Sequence, residues 1–536
     1  MKPRHVVRYF KKTTRIMKTK ILIIIFYFFF QNNFAQNGVL DNTFGNNGLK
    51  TISLPNKNVR GSFILTFLDN SFMISGNTDE NPNGAINRSA FISKYSSDGN
   101  IDLAFGNNGF IIIPNGSNGI SFINDMIKQP DGKIVISGLI NGNPTLMRIF
   151  ENGNYDNSFG INGIANVYKN GKIGIQNDGK IITANGLQNG NTCIYSFSRF
   201  QENGNIDTSF GINGTILNDI TSYDYDYCLG IKILPNNKFI TIGTSSFHWG
   251  NYRNAVVCKF NEDGTLDNNF GNNGINMTSI GPSPGYAIFR DIEILDNGKI
   301  ITSGSAEYSS GTGGFGGSKP VIVKYNSNGT LDTTFGTNGI VILNTIFNAN
   351  DNFYSVKVQS DGKILGLGSS GYPFPYLQSY LNITRLTETG NLDSSFGNNG
   401  VFLTNNNNYV TNGGWEITLQ NDTKIIALGY TANSTNLANT LVCRLNFDDL
   451  LSINENISES NIKIYPNPST NEIFITGVNV ESKIEIFNIL GQSCAVNKKV
   501  KNENEIEIDI SEFSKGTYLL KLEYNSKILN RKFIVK

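Results

Sequence analysis

The chain has 536 residues, of which 16% are charged and 39% are hydrophobic, and its 56 glycines favour a turn-rich globular β-protein over a disordered chain. Residues 1–35 hold eight of the 44 basic residues and none of the 43 acidic ones, so the formal charge falls from +1 to −7 without them. A mildly acidic chain without a basic stripe excludes nucleic acid as a partner.

The N-terminus has the pattern of an export signal. A basic segment that ends at Lys20 precedes ten apolar residues, Ile21–Phe30, after which the chain turns polar. Ten apolar residues are too few to span a bilayer. We therefore predict a signal peptide over residues 1–35, cleaved after Ala35, and no transmembrane span once it is removed. An uncleaved anchor is the alternative.

One eight-residue pattern, D-x-x-F-G-x-N-G, recurs seven times at intervals of 51 to 65 residues. A period of this length is typical of a propeller or a solenoid. The structural repeat residues at its Asp and Phe positions are Asp41, Phe44, Asp102, Phe105, Asp156, Phe159, Asp207, Phe210, Asp267, Phe270, Asp332, Phe335, Asp393 and Phe396.

A second pattern lies near the middle of each repeat, as in QPDGKIVISG at Gln129–Gly138. Its Asp-Gly or Asn-Gly pair indicates a hairpin between two strands, because a type I′ turn needs positive φ at both central residues. Counting the other two strands of each repeat, we predict an all-β fold. Residues 36–447 would form a seven-bladed β-propeller with four-stranded blades, closed by pairing the first strand with the last blade.

Every residue type in the D-x-x-F-G-x-N-G pattern has a structural role. The aspartate can accept backbone N–H groups, the glycines supply positive φ, and the phenylalanine is predicted to wedge between blades, worth about 2 to 3 kcal/mol. Calcium binding competes, because Asp98, Asn100 and Asp102 alternate as in oxygen-ligand loops. Other copies replace these carboxylates by amides or hydroxyls, so we predict no metal and no cofactor.

A cation also recurs on the last strand of each repeat. The seven could form a positive ring for an anionic ligand, or each could pair with an acidic residue or cap carbonyls within its own blade. Seven motif aspartates match seven cations, which favours pairing. The cations are Lys94, Arg148, Arg199, Lys259, Lys324, Arg385 and Arg444.

Repeats of about 60 residues with these two patterns resemble the delta-60 repeat family of exported bacterial proteins. The resemblance covers roughly residues 38 to 447. It implies a propeller-like fold and no single catalytic activity.

The C-terminal region has a different pattern. Residues 448–461 form a polar linker, and residues 462–536 alternate apolar and polar positions as in a small β-sandwich. The sorting motif Tyr465, Pro466, Asn467, Pro468, with DIS at Asp509 and GTY at Gly516, resembles the type A sorting domain of the type IX secretion system. The resemblance implies contact with that machinery and release from the cell or attachment to its surface. An accessory β-domain is the alternative.

Catalytic motifs are absent from the sequence. His248 is the single histidine after residue 35, and neither G-x-S-x-G nor H-E-x-x-H occurs. We predict no catalytic residue. Paired carboxylates from separate blades, acting on polysaccharide in the propeller axis, are the enzymatic alternative.

Aromatic residues concentrate in the loops that follow the second-pattern strand in three consecutive repeats. Aromatic side chains on the loops of a rigid scaffold commonly hold sugars or peptides. We predict a secreted or surface-attached binding module for a glycan or a surface protein; a purely structural surface protein, whose rings cover blade edges, is the alternative. Tyr223, Tyr225 and Tyr227 are interpreted as strand faces. The predicted ligand-binding residues are His248, Trp249, Tyr252, Tyr308, Phe315, Tyr372, Phe374 and Tyr376.

Overall fold

The computed structural model is all-β, as predicted, and its described residues contain no α-helix. The chain divides into two compact parts after Phe447, here called the repeat domain and the C-terminal domain. The described residues are 38–55, 57–79, 88–116, 120–221, 223–247, 252–281, 286–307, 317–343, 351–371, 379–404, 411–420, 423–432, 438–447, 463–476, 483–488, 493–502, 505–524 and 527–536. The predicted signal peptide and the predicted linker lie outside them.

The repeat domain consists of short antiparallel strands joined by tight turns. In chain order they are β1 (Val39–Leu40), β2 (Leu49–Ile52), β3 (Asn58–Thr66), β4 (Phe72–Asp79), β5 (Arg88–Tyr95), β6 (Phe110–Ile113), β7 (Phe122–Lys128), β8 (Ile134–Ile140), β9 (Asn143–Ile149), β10 (Ile164–Asn166), β11 (Lys172–Ile175), β12 (Ile181–Asn189), β13 (Thr192–Phe200), β14 (Thr215–Asn218), β15 (Tyr225–Ile233), β16 (Phe239–Phe247), β17 (Tyr252–Phe260), β18 (Ile275–Thr278), β19 (Tyr286–Ile294), β20 (Ile300–Glu307), β21 (Ser318–Tyr325), β22 (Ile340–Ile342), β23 (Asn352–Val358), β24 (Ile364–Gly371), β25 (Ser379–Leu386), β26 (Val401–Leu403), β27 (Thr411–Gln420), β28 (Lys424–Ala432) and β29 (Ala438–Asn446).

Antiparallel pairing among the described residues groups β2–β29 into seven successive sets of four, which we call units 1 to 7; β1 also pairs with β29, and single parallel bridges join some neighbouring units into larger sheets. Unit 1 is β3–β6, unit 2 is β7–β10, unit 3 is β11–β14, unit 4 is β15–β18, unit 5 is β19–β22, unit 6 is β23–β26, and unit 7 is β27–β29 with β2. Hairpin turns at the second pattern place one residue at positive φ, such as Gly132 at +89° or Asn237 at +62°, and not the two of a type I′ turn, which corrects that part of the prediction.

The start of the chain supplies the outer strand of the last unit. β2 pairs antiparallel with β29, so that Leu49 lies opposite Cys443. The first strand of each unit packs against the preceding unit, and β3 packs against β27, β28 and β29 in the same way. The order of units therefore closes on itself through strand pairing and packing.

The hydrophobic core lies mainly in the seams between units. On β8, the consecutive residues Ile134, Val135 and Ile136 are all buried. Neighbours on both faces of the sheet cover such a strand, which explains why its sequence is an unbroken apolar run. One buried cluster joins Met73 of unit 1 to Met126 of unit 2, and comparable clusters span other seams. A unit alone would leave these faces exposed.

The C-terminal domain contains two four-stranded sheets around one core, as the period-two alternation predicts. In the sorting motif, Asn467 Oδ1 accepts the backbone N–H of Ile534 at 2.9 Å, and the Tyr465 hydroxyl donates to Glu505 at 2.6 Å. The motif therefore fastens the last strand of the chain. The strands are β30 (Lys463–Tyr465), β31 (Glu472–Thr476), β32 (Lys483–Asn488), β33 (Ser493–Cys494), β34 (Asn497–Asn502), β35 (Glu505–Asp509), β36 (Gly516–Tyr524) and β37 (Lys527–Val535).

Candidate functional site

The repeated D-x-x-F-G-x-N-G patterns lie at one end of the units, here called the motif end. All seven motif phenylalanines are at most 1% exposed. Each ring packs against a turn glycine of the adjoining unit: a Cβ on Gly204 would lie 2.9 Å from the ring of Phe159. The rings therefore occupy the seams between units. The other pairs are Phe44 with Gly99, Phe105 with Gly153, Phe210 with Gly264, Phe270 with Gly329, Phe335 with Gly390, and Phe396 with Gly38.

The repeated cations at the motif end are neutralised within the fold. Arg148 Nε donates to Asp156 at 2.8 Å, and another guanidinium nitrogen donates to the carbonyl of Glu202 in unit 3 at 2.6 Å. Arg199 makes the same two contacts, to Asp207 and to the carbonyl of Glu262 in unit 4. The capped carbonyl belongs to the next unit, which corrects the expectation of a contact within one blade. A positive ring for an anionic ligand has no support at this end.

Three of the motif aspartates, Asp41, Asp156 and Asp332, are held in their charged form. Burial alone would raise the pKa of Asp41, but hydrogen bonds from Lys424 and Thr43 and the charge of Arg444 outweigh it and lower the pKa to about 2. The pKa of Asp156 and of Asp332 is also lowered to about 2, against the effect of burial. These carboxylates stay ionised at neutral pH and act as structural acceptors.

The structure describes almost none of the predicted ligand-binding residues. His248, Trp249, Tyr308, Phe315, Tyr372, Phe374 and Tyr376 lie outside the described residues. Tyr252 is the first residue of β17, and its side chain is likewise outside the described part. Its backbone pairs with that of Phe247. Strand β16 therefore ends, and β17 begins, at the end of unit 4 where Tyr225 and Tyr286 begin their strands.

Described residues at this second end form an arc of aromatic and cationic side chains, which we call the aromatic–arginine arc. The arc runs from unit 4 to unit 7 and consists of Tyr227, Arg253, Tyr286, Arg290, Tyr354, Trp415 and Tyr430. Tyr225 is buried, as a strand-face residue should be, whereas Tyr227 is exposed and stacks on it with ring centroids 6.5 Å apart. Tyr225 and Tyr227 thus both belong to β15, as the strand-face interpretation expects, whereas Tyr223 precedes the strand.

Neighbouring members of the arc contact one another. The guanidinium of Arg253 lies 4.5 Å from the ring centroid of Tyr286, and that of Arg290 lies 4.8 Å from the centroid of Tyr354. Ring centroids are 4.7 Å apart for Tyr354 and Trp415, and 5.9 Å apart for Trp415 and Tyr430. Trp415 remains 37% exposed within this contact chain. The arc thus presents stacked ring faces and guanidinium groups together.

A β-bulge places three members of the arc. In the described residues, six of the seven first strands carry one extra residue at the same point, and β11 is the exception. A bulge bends the strand and re-aims the extra side chain. That residue is Arg290 in unit 5, Tyr354 in unit 6 and Trp415 in unit 7. Sequence reasoning missed these residues, because no repeated pattern marks the first strands.

A group of charged side chains, the axial charge cluster, lies just beyond the bulge, where first strands of several units converge. Lys172 of unit 3 lies 3.7 Å from Asp125 of unit 2 and 4.5 Å from the ring centroid of Phe63 in unit 1. Glu293 of unit 5 pairs with lysines of units 4 and 6. The cluster therefore ties many units together. Its members are Asp125, Lys172, Lys232, Asp291, Glu293, Lys357 and Glu416.

The carboxylates of the axial charge cluster already have partners. Asp291 accepts the hydroxyl of Ser355 at 2.8 Å and the backbone N–H of Val356 at 2.9 Å. Glu416 accepts the backbone N–H of Ile64 at 2.7 Å. Burial raises the pKa of Glu416 to about 7, despite that hydrogen bond and the nearby charge of Lys172. Glu416 can therefore carry a proton near neutral pH, whereas the cluster otherwise has the character of a structural network.

Several other site types find no support in the described residues. No group of three or more His, Cys, Asp or Glu side chains in that part of the chain could hold a metal ion. Its cysteines are free thiols, and Cys193, Cys228, Cys258 and Cys443 are buried. The same residues contain no helix with the length and apolar character needed to span a membrane.

Family profiles match both parts of the chain. The profile described as the DUF5122 β-propeller, a domain of unknown function, matches residues 129–159, 234–270, 295–335 and 359–396. The profile described as the secretion system C-terminal sorting domain matches residues 463–536. The propeller architecture and the sorting domain expected from the sequence are both confirmed. None of the curated proteins matches this chain.

Solved structures resemble the chain only distantly. A protein of unknown function from Dyadobacter fermentans is 9% identical with a TM-score of 0.41, over 75% of this chain and 100% of that one. A polysaccharide lyase of family PL25, an ulvan lyase, is 12% identical with a TM-score of 0.33, over 72% and 78%. Drosophila Plexin A, in complex with Semaphorin 1b, is 9% identical with a TM-score of 0.35, over 76% and 88%. At these scores the similarities carry no argument about function.

Proposed function

Because the chain carries a DUF5122 β-propeller and a secretion system C-terminal sorting domain, we propose that it is an exported binding protein whose seven units are the blades of one closed propeller. The sorting domain indicates export by type IX secretion to the cell surface or the extracellular space, and hence contact with that machinery. A signal peptide over residues 1–35 would supply the first export step. The ligand we propose is a glycan, bound on the aromatic–arginine arc.

The exposure of Trp415 between two tyrosine rings carries this proposal. A large aromatic side chain gains stability from burial, so an exposed group of adjoining rings at the end of a rigid scaffold is expected where a ligand covers it. Trp415 is 37% exposed, and the rings of Tyr354 and Tyr430 lie beside it, tilted by 59° and 34° to its plane. Sugar rings present flat apolar faces that suit such a surface. The predicted loop residues would extend the same end of the units.

We would test the proposal by measuring the binding of the full chain to a glycan array, with Trp415→Ala as the test variant. We expect the array to identify a ligand, and Trp415→Ala to weaken its binding by at least about tenfold, which is ~1.4 kcal/mol. Tyr168→Ala is the matched control, because Tyr168 is an exposed aromatic residue outside the arc. Absence of any glycan ligand, or equal binding by Trp415→Ala and wild type, would contradict the proposal.

A polysaccharide-degrading enzyme is the second candidate, and the pKa of Glu416 favours it. A carboxyl group with a pKa of about 7 can act as a general acid at neutral pH. Asp291 is the charged acidic neighbour that contributes to this shift. The test is whether the protein releases new reducing ends from the polysaccharides that it binds on the array. Release by wild type, lost in Glu416→Gln while binding is retained, would establish the enzyme. Binding without any release of product would support the binding protein and contradict the enzyme.

A further inference from the structure

Two arginines of the arc differ from the arginines of the motif end. At the motif end, Nε of each of four arginines donates to a motif aspartate at 2.8 to 2.9 Å; these are Arg148, Arg199, Arg385 and Arg444. Nε of Arg253 and of Arg290 is buried without a hydrogen-bond acceptor in the described part of the chain. Among the described residues, Nε of two cations of the arc is thus left without an acceptor.

Stacking prepares both guanidinium groups for an anion. Arg253 lies over Tyr286 and Arg290 lies over Tyr354, so each guanidinium plane is held against a ring face. A guanidinium held by stacking keeps a planar set of donors that matches carboxylate and sulfate oxygens. Burial raises the pKa of Glu307, which lies opposite Tyr286 on β20, although the charge of Arg253 is close enough to lower that pKa in part. Asp291 follows Arg290 in the chain, but it accepts hydrogen bonds from Ser355 and Val356.

The spacing of the two sites favours a polymer over a single small anion. Arg253 stacks on Tyr286 and Arg290 stacks on Tyr354, so the two guanidinium groups lie on rings of different units. They offer two separate positions for anionic groups. A chain that carries repeated anionic groups can place one near each guanidinium.

We propose that the arc binds an acidic polysaccharide, with Arg253 and Arg290 each taking a carboxylate or sulfate group and Trp415 stacking on a sugar ring. This inference rests on the proposed glycan-binding function and adds the chemical class of the ligand. The formal charge of −7 expected after signal removal gives no long-range attraction for a polyanion, so selectivity must come from the two local arginines. The exposed ring faces favour a glycan over an acidic peptide.

Matched acidic and neutral glycans test the proposal on the full chain. The probes are oligogalacturonate with its methyl ester, a sulfated galactan oligosaccharide with its desulfated form, and poly-glutamate. In calorimetry, we expect the acidic member of at least one pair to bind at least about tenfold more tightly than its neutral partner, a difference of ~1.4 kcal/mol. The Arg253→Gln/Arg290→Gln double variant should lose this preference, and Arg253→Lys/Arg290→Lys should recover only part of it.

The outcomes separate the two proposals. If neutral glycans bind as tightly as their acidic partners, and Trp415→Ala loses this binding, the proposal of an acidic ligand is overturned and the glycan-binding function stays in place. No glycan bound by wild type would overturn both. If poly-glutamate binds more tightly than every glycan, the claim that the ligand is a glycan is overturned. Arg88→Gln is the charge-matched control, because Arg88 lies 3.2 Å from Asp79 and already has an anion; unchanged melting temperatures would show that the variants fold.

Discussion

The motif end and the arc end of the repeat domain differ in how far the seven units agree. At the motif end the same residue types recur in every unit, and each repeated side chain contacts its own or the next unit. At the arc end one backbone feature recurs, the bulge, while its residue changes from unit to unit: Ser62, Asn124, Leu229, Arg290, Tyr354 and Trp415. Repetition therefore marks what holds the units together, and divergence on a shared backbone marks where a ligand can be selected.

Removing one partner of a buried motif pair should have the largest effect. Arg385 is 1% exposed and donates to Asp393 at 2.9 Å, so Arg385→Ala leaves a largely buried carboxylate with only the more exposed Lys363, at 3.6 Å, as its cation. We expect a loss of ~3 to 5 kcal/mol in the free energy of unfolding, measured by urea denaturation. Lys94→Ala is the control at the same repeat position and should cost far less, because both partners of Lys94 are more exposed than Asp393: Glu151 at 2.9 Å and Asp102 at 4.0 Å. Equal losses would show that the two pairs do not differ as their geometry indicates.

This contrast explains which parts of the molecule could be predicted from sequence. Turns at Gly132 or Gly204 need positive φ, which leaves a direct mark in the sequence, so the strand count per repeat and the motif seams follow from it. The arc has no such mark. Trp415 stands in NGGWEIT and Arg290 in IFRDIE, and only the strand register shows that each is the extra residue of a bulge. Side chains from separate units also meet there, which no local pattern encodes.

The seam glycines test the phenylalanine wedge, with a smaller expected effect. Gly204 has φ +84°, and its added Cβ would lie 2.9 Å from the Phe159 ring. Gly132 has φ +89°, and no atom lies within 4 Å of its added Cβ. Both alanine variants incur the backbone cost of ~1 to 2 kcal/mol, and Gly204→Ala incurs ~1 to 3 kcal/mol more from the clash. Equal melting temperatures for the two variants would mean that the ring yields to the new methyl group.

The pH dependence of stability should differ between the two ends. Asp332 has a lowered pKa of about 2, so its contribution is present above the unfolded value of 3.8 and is lost as the pH falls towards 2. Glu416 has a raised pKa of about 7, so its contribution is present below the unfolded value of 4.5 and is lost as the pH rises through 7.

Glu416→Gln isolates the second effect. The amide keeps an oxygen that can accept the Ile64 N–H and removes the charge that burial disfavours. We expect the variant to melt at a higher temperature than wild type at pH 8.5 and at the same temperature at pH 4.5, measured by calorimetry across that range. Acid unfolding below pH 4, which the motif aspartates control, should stay unchanged. A stability gain that is equal at both pH values would assign the effect to packing instead of charge.

Ile212→Asn should have the smallest effect and examines an exception within the motif end. Four of the other patterns place asparagine at this position, whereas Ile212 is 82% exposed and lines a groove of about 680 Å³ beside Tyr168 and Leu217. An exposed substitution that removes no contact changes stability by less than ~0.5 kcal/mol. We therefore expect unfolding curves that coincide with those of wild type. A clear loss of stability would show that unit 3 has made this apolar side chain part of its packing, and that divergence at the motif end, too, has structural consequences.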